Sequence, residues 1–206
     1  MALETVPEGG LNVTDMLPAT FTAPGLSEAE FLALCQKFPD ATLEYTAQGT
    51  VIVMPSTDPE SSARVLETGR QLGNWAVQEG HGIVIGPDGG FRFRDGSRRS
   101  PDASWYDRGR WRAAKQPGTR FPVFAPEFVI EIRSPDDKIR LRREKMEEYI
   151  ANGVRPGWLI DPIERTVAIY RPGRAPELLA NPAEVAGEGP VAGFVLKLDR
   201  ILGPAD

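Results

Sequence analysis

Apolar positions along the chain change period several times, and each change marks an element. Leu26-Ser-Glu-Ala-Glu-Phe31 sets a capping box, Ser27 with Glu30, between two apolar residues able to staple, which predicts a short helix to about Phe38. Thr42–Thr46 and Thr50–Met54 are strand-like runs either side of Gln48-Gly49, the pattern of a hairpin. Asp58-Pro59 opens the largest helix, in which Val65, Leu72, Trp75 and Ala76 recur at helical spacing until Gly80 stops it. Ile83–Ile85, Phe91–Arg94 and Ala103–Tyr106 read as short strands, the first two joined by the turn Gly86-Pro-Asp-Gly-Gly90. A polar, Arg-rich connection follows at 107–120, then a buried strand at Glu127–Ile132. Ser134-Pro135-Asp136-Asp137 has the cap, the first-turn proline and the acidic residue of a helix start directly behind that strand, and Gly153 ends the helix. Gly157–Ile160, Val167–Tyr170 and Phe194–Leu198 complete a strand-rich second half. Residues 1–25 show no period and read as an N-terminal arm, leaving 26–206 as a single domain. This order predicts an α/β (α+β) domain with a mixed central sheet flanked by helices.

Composition narrows the chemistry. With 206 residues, 41% hydrophobic and 26% charged, the chain fits one folded domain, and its apolar stretches are too short to span a membrane. Residues 1–30 contain no Lys or Arg and no sustained apolar run, so a cytoplasmic home is expected. Cys35 and His81 are the only residues of their kinds, which excludes an internal disulfide framework and multi-cysteine or His-rich metal sites. Chemistry is therefore left to carboxylates, Lys, Arg, Ser or Tyr. Residues 1–60 carry one basic and nine acidic side chains, residues 61–175 twenty-one and fifteen, and residues 176–206 two and five. A basic middle between acidic ends can meet a phosphate backbone, yet it is equally what a solvated surface looks like.

Three acidic residues lie where strands are expected. Asp102 follows Pro101 at the start of one strand, Glu131 interrupts the run Phe128-Val-Ile-Glu-Ile132, and Glu44 sits in the first hairpin. A carboxylate inside an apolar strand is costly to bury unless paired or bound to a cation, so Glu131 needs a partner. Strand alternation puts Glu131 and Arg133 on one face, and Lys145 borders the buried stripe Ile139, Met146, Tyr149 and Ile150 of the following helix. A Glu131–Arg133 or Glu131–Lys145 ion pair that only fixes strand register explains the same residues. Asp102 can simply cap a turn, and Lys145 can snorkel to water. His81, Ser134 and the Gly86–Gly90 loop carry no recognisable chemistry, and Asp161 before Pro162 reads as a turn residue. Trp105 and Trp111 with Arg108, Arg110 and Arg112 can grip nucleic acid by stacking, or can be core and solvated loop.

Taken together, Arg99-Ser-Pro-Asp-Ala-Ser-Trp105, Pro126-Glu-Phe-Val-Ile-Glu-Ile-Arg-Ser-Pro135, Lys145-Met-Glu-Glu-Tyr149 and Asn152-Gly-Val-Arg-Pro-Gly-Trp-Leu-Ile-Asp-Pro162 resemble the Uma-two family of the PD-(D/E)XK nuclease superfamily. Glu44, Gly49 and Val51-Ile-Val-Met-Pro55 extend the likeness upstream, so that it covers about residues 26–172. The resemblance implies a restriction-endonuclease-like fold carrying a Pro-Asp … Glu-x-Lys motif. Pro101-Asp102 and Glu131 match the acidic part, Arg133 stands where the lysine is usual, and Lys145 can supply the amine from the helix. It further implies Mg²⁺ (or Mn²⁺) on Asp102, Glu131 and the Ile132 carbonyl, with Glu44 acting through water or a second ion. Lys145 would then orient the attacking water and Arg133 neutralise developing charge. The expected activity is metal-dependent DNA endonuclease, acting as a homodimer. The alternative is a nucleic-acid-binding module of the same fold that has lost catalysis, and a third reading treats every charge as an internal ion pair.

Overall fold

The computed structural model describes residues 19–39, 41–54 and 57–203. The chain forms two compact units, divided between Ser56 and Thr57. The first contains β1 (Ala19–Thr22), α1 (Glu28–Lys37), β2 (Thr42–Tyr45) and β3 (Thr50–Met54), with β1 and β2 both antiparallel to β3. The capping box forms as read: Ser27 Oγ accepts from the Glu30 amide and the Glu30 carboxylate accepts from the Ser27 amide at 2.9 Å. Phe31, Leu43, Tyr45 and Val51 make a small core. The Tyr45 hydroxyl donates to the Ala23 carbonyl at 2.9 Å and accepts from the Leu26 amide. Residues 19–22, which the sequence assigns to an aperiodic arm, are thus a strand; its mostly exposed side chains leave no alternation to read. The rest of that arm, residues 1–18, lies outside the described residues.

The second unit is built on a sheet whose strands run β11-β10-β9-β8-β7-β4 among the described residues. These are β4 (Gly82–Ile85), β7 (Ala103–Asp107), β8 (Phe128–Ile132), β9 (Gly157–Asp161), β10 (Thr166–Tyr170) and β11 (Glu177–Ala180). β8 and β9 are parallel and the other neighbours antiparallel, which makes the sheet mixed as expected. The helix α4 (Ile139–Ala151) is the crossover between the parallel pair. Phe128, Ile130 and Ile132 pack with Trp158, Ile160 and Ala103 on one face, covered by α2 (Pro59–Glu79) and by the hairpin β12 (Glu184–Ala186) with β13 (Val195–Lys197). Val129, Leu159 and Tyr106 point to the other face, against Met146 and Tyr149 of α4. Asp58 caps α2 by accepting from the Ser61 amide at 2.9 Å, and Gly80 ends it with φ +85°, a conformation glycine adopts without strain.

Several local expectations are corrected. The runs at 83–85 and 91–94 are not partners: β4 pairs with β7, while only Phe91–Arg92 forms a strand, β5, paired with β6 (Arg98–Arg99) around a turn at Asp95–Ser97. The connection at 107–120 contains a helix, α3 (Arg108–Ala114), which the Asp107 carboxylate caps by accepting from the Arg110 amide at 2.8 Å. The helix behind Glu131 begins at Ile139 rather than at Ser134. The Asp137 carboxylate closes a turn by accepting from the Ser134 amide at 2.8 Å, and the helix starts after it. Consequently, its N-terminal amides do not follow the strand directly. Among the described residues no helix is long and apolar enough to cross a membrane.

Candidate active site

Ala103 lies opposite Ile130 in the antiparallel pair β7·β8, so Asp102, the next residue outward, stands at the level of Glu131. Side chains alternate along both strands, which turns both carboxyl groups toward α4. Asp102 Oδ2 accepts from the Ile132 amide at 2.7 Å. An extended residue points its N–H and C=O to the same strand edge, so the Ile132 carbonyl faces the Asp102 side as well.

Glu131 is fully buried, at 0% exposure, and among the described residues its partners come from α4. Arg142 Nη1 lies 2.9 Å from Oε2, Lys145 Nζ lies 2.8 Å from Oε1, and the Tyr149 hydroxyl donates to Oε1 at 2.9 Å. Positions 142, 145 and 149 are three and four residues apart, so a single helical stripe supplies all three donors. A buried carboxylate is tolerable only with such pairing. Arg142 also grips Asp137 at 2.7 Å, and against the opposing effect of burial the carboxylates of Glu131, Asp137 and Asp102 hold its guanidinium in the charged form. Burial, then the charge of Glu131, push the Asp102 carboxyl up to about 7, despite the opposing pull of Arg142 and Lys145. The two carboxyl groups thus stand side by side, Glu131 buried and Asp102 half-buried, and burial with the neighbouring charge holds the Asp102 proton above the usual carboxylate range.

The structure brings Asp102, Glu131, Ile132 and Lys145 together. Arg133 shares the face of Glu131 but does not pair with it. Its Nη1 lies 2.9 Å from Asp161 Oδ2, on the neighbouring strand, and its Nε donates to the Asp137 carbonyl. Lys145 and Arg142 reach Glu131 from the helix instead, so of the two ion pairs left open by the sequence, Glu131–Lys145 is the one that forms. Glu44 lies in the first unit, buried in β2 opposite Ile52. Asp161 ends β9 and makes the turn the sequence predicts, its Oδ1 accepting from the amides of Ile163 and Glu164. Arg142, Tyr149 and Asp137 are the residues that sequence reading undervalued. The three-and-four spacing of 142, 145 and 149, on a helix following a strand with a buried acid, was the available signal. Among the described residues no three His, Cys, Asp or Glu side chains gather into a metal cage. Two carboxylates and a carbonyl nevertheless suit a hard cation such as Mg²⁺, which takes one or two carboxylates and keeps waters and substrate oxygens. Among the described residues Asp102 Oδ1 takes no hydrogen bond, and a carboxylate with three donors, such as Glu131, retains acceptor capacity.

The sequence pattern of one known family, described as "Putative restriction endonuclease", matches residues 28–199. The chain belongs to this Uma2 family. Among solved structures, a "putative nuclease belonging to DUF820" from Anabaena variabilis is similar to it, with 24% identity and a TM-score of 0.70 over 84% of this chain and 96% of that one. The likeness places the Uma2 chain in the restriction-endonuclease-like fold, as the mixed sheet flanked by helices already indicated. Among curated proteins nothing matches it.

Proposed function

We propose that this Uma2 protein is a metal-dependent endonuclease that hydrolyses phosphodiester bonds in DNA, and that it works as a homodimer, because one such site addresses one strand. The observation that carries the reading is the grouping of Asp102, at the start of β7, and Glu131, on the neighbouring β8, with Lys145, the one amine among the described residues in ion-pair contact with Glu131. Asp102, Glu131 and the Ile132 carbonyl would hold Mg²⁺ or Mn²⁺. When bound, the ion lowers the pKa of a coordinated water and polarises the phosphate. Tyr149 fixes the rotamer of Glu131. Lys145 orients the attacking water and is the group able to exchange a proton with it, since an arginine stays protonated. Arg142, rather than Arg133, lies where it can neutralise charge developing on the phosphate oxygens. Glu44 enters this reading through the family resemblance alone.

The test is cleavage of single- and double-stranded DNA and RNA with Mg²⁺ or Mn²⁺, against EDTA and against Asp102→Asn. Cleavage that needs the metal and is lost in the variant is expected. Metal-independent retention of nucleic acid without cleavage would transfer the reading to a non-catalytic binding module.

A further inference from the structure

The second unit carries an open pocket that the proposed chemistry does not use. Its volume is about 460 Å³, within the usual range for small-molecule sites. Ala113, Ala114, Val123 and Ala125 give it small apolar walls, and Arg94, Arg110 and Asn152 stand at its polar side. Arg110 lies over the Phe124 ring, 5.2 Å from its centroid, and pairs with Glu127. Arg94 donates one N–H to the Ala151 carbonyl at the end of α4. A guanidinium has five donors, so both arginines keep donors for a ligand. Arg108, Arg112, Lys115 and Arg120, all exposed, follow the same segment, with Asp107 as the only acidic residue between 107 and 120.

We infer that this pocket binds one nucleotide of the nucleic-acid substrate, its base stacked on the outer face of Arg110 and its phosphate held by Arg94 and Arg110. The inference rests on the nuclease reading. An arginine plane already backed by an aromatic ring is a platform for a base, and a cationic rim beside apolar walls matches a nucleotide's flat apolar ring and charged phosphate. Asn152, which caps the C-terminus of α4, lies seven residues beyond Lys145, about 10 Å along the axis, which is about three nucleotide steps of a stacked strand. Asn152 offers a base edge no free donor. Its amide nitrogen is already spent on Asp95 at 2.7 Å and on the Glu148 carbonyl at 2.9 Å. A subsite that holds its nucleotide by stacking and by the phosphate discriminates little among bases.

The experiment is calorimetric titration of the full chain in EDTA with 2′-deoxyadenosine 5′-monophosphate, the other three deoxynucleotides, and inorganic phosphate. Nucleotide is expected to bind at least about tenfold more tightly than phosphate, with the four bases within about threefold of one another. Ala113→Trp, on the exposed side of α3, fills the pocket and should weaken nucleotide binding by about tenfold or more, and Arg94→Gln should weaken it severalfold. Unchanged melting temperatures in both variants establish that they fold. Binding no tighter than phosphate, or equal binding by Ala113→Trp, overturns the assignment. Glu131→Gln separates the two readings: it should abolish cleavage and leave nucleotide affinity as in wild type. Cleavage without nucleotide binding removes the pocket alone, and nucleotide binding without any cleavage removes the nuclease reading alone.

Discussion

At the scale of single residues, the candidate site is a competition for protons and cations. The Asp102 carboxyl holds its proton to about pH 7 in the folded protein but only to about 3.8 when unfolded. Between those values the native state binds more protons than the unfolded chain. The contribution of Asp102 is therefore fully present below pH 4 and is lost as pH rises through 7, by at most on the order of 4 kcal/mol. Asp102→Asn, melted in EDTA, should accordingly be more stable than wild type at pH 8 and nearly equal to it at pH 4; equal melting curves at pH 8 would contradict this. Mn²⁺ should raise the melting temperature of wild type at pH 8 and leave that of Asp102→Asn unchanged. Lys145 has a different signature. Lys145→Ala should lower metal-dependent cleavage by roughly 10²–10⁴-fold and Lys145→Arg should not rescue it, because only an amine can exchange the proton. Arg133→Lys should be tolerated, since Arg133 is occupied by Asp161 and not by Glu131.

At the scale of elements, the decisive contacts are those that seat α4 and β4. Tyr149 ties the helix to the strand that carries Glu131, so Tyr149→Phe strips one of three donors from a buried carboxylate. It should cost about 1–3 kcal/mol in denaturant unfolding, the usual penalty for leaving a buried acceptor short of a partner. On β4, a Cβ added at Gly82 would stand 1.9 Å from Trp105 Nε1. The Trp105 indole is buried against Trp75, with ring centroids 5.7 Å apart, so a methyl at 82 forces a buried ring to shift. Gly82→Ala should therefore destabilise the second unit by about 1–3 kcal/mol or more, as overpacking does, and a melting curve like that of wild type would count against this packing.

For the whole molecule, the uneven charge predicts salt-sensitive nucleic-acid binding. The acidic flanks, nine carboxylates against one lysine in residues 1–60, oppose the basic middle. DNA affinity should fall with log salt at a slope of about −0.9 for each phosphate neutralised, and a flat dependence would argue against backbone contacts. Light scattering should give twice the 22.6 kDa chain mass if the proposed homodimer forms. A mass of one chain across a wide concentration range would refute it.

Much of this protein was legible in the chain because its signals are local. A capping box at Ser27, a proline-led cap at Asp58, a glycine stop at Gly80 and the apolar run at 128–132 act over a few residues, and the structure reproduces each of them. The burial of Glu131 was likewise readable, since a charge inside an apolar strand has to find a partner. Which partner it finds is not a local property. Parity alone offered Arg133, two positions away, yet Asp161 on the parallel neighbour captures that guanidinium once β8 and β9 are in register. The start of α4 departs from the sequence pattern for a similar reason: Asp137 closes a turn on the Ser134 amide and binds Arg142, instead of beginning a helix. The sequence determined those elements whose signals are local and the acidic residues and lysine able to do chemistry. The tertiary structure decided their pairings, because an ion pair forms with the opposite charge that strand register and helix packing bring within reach.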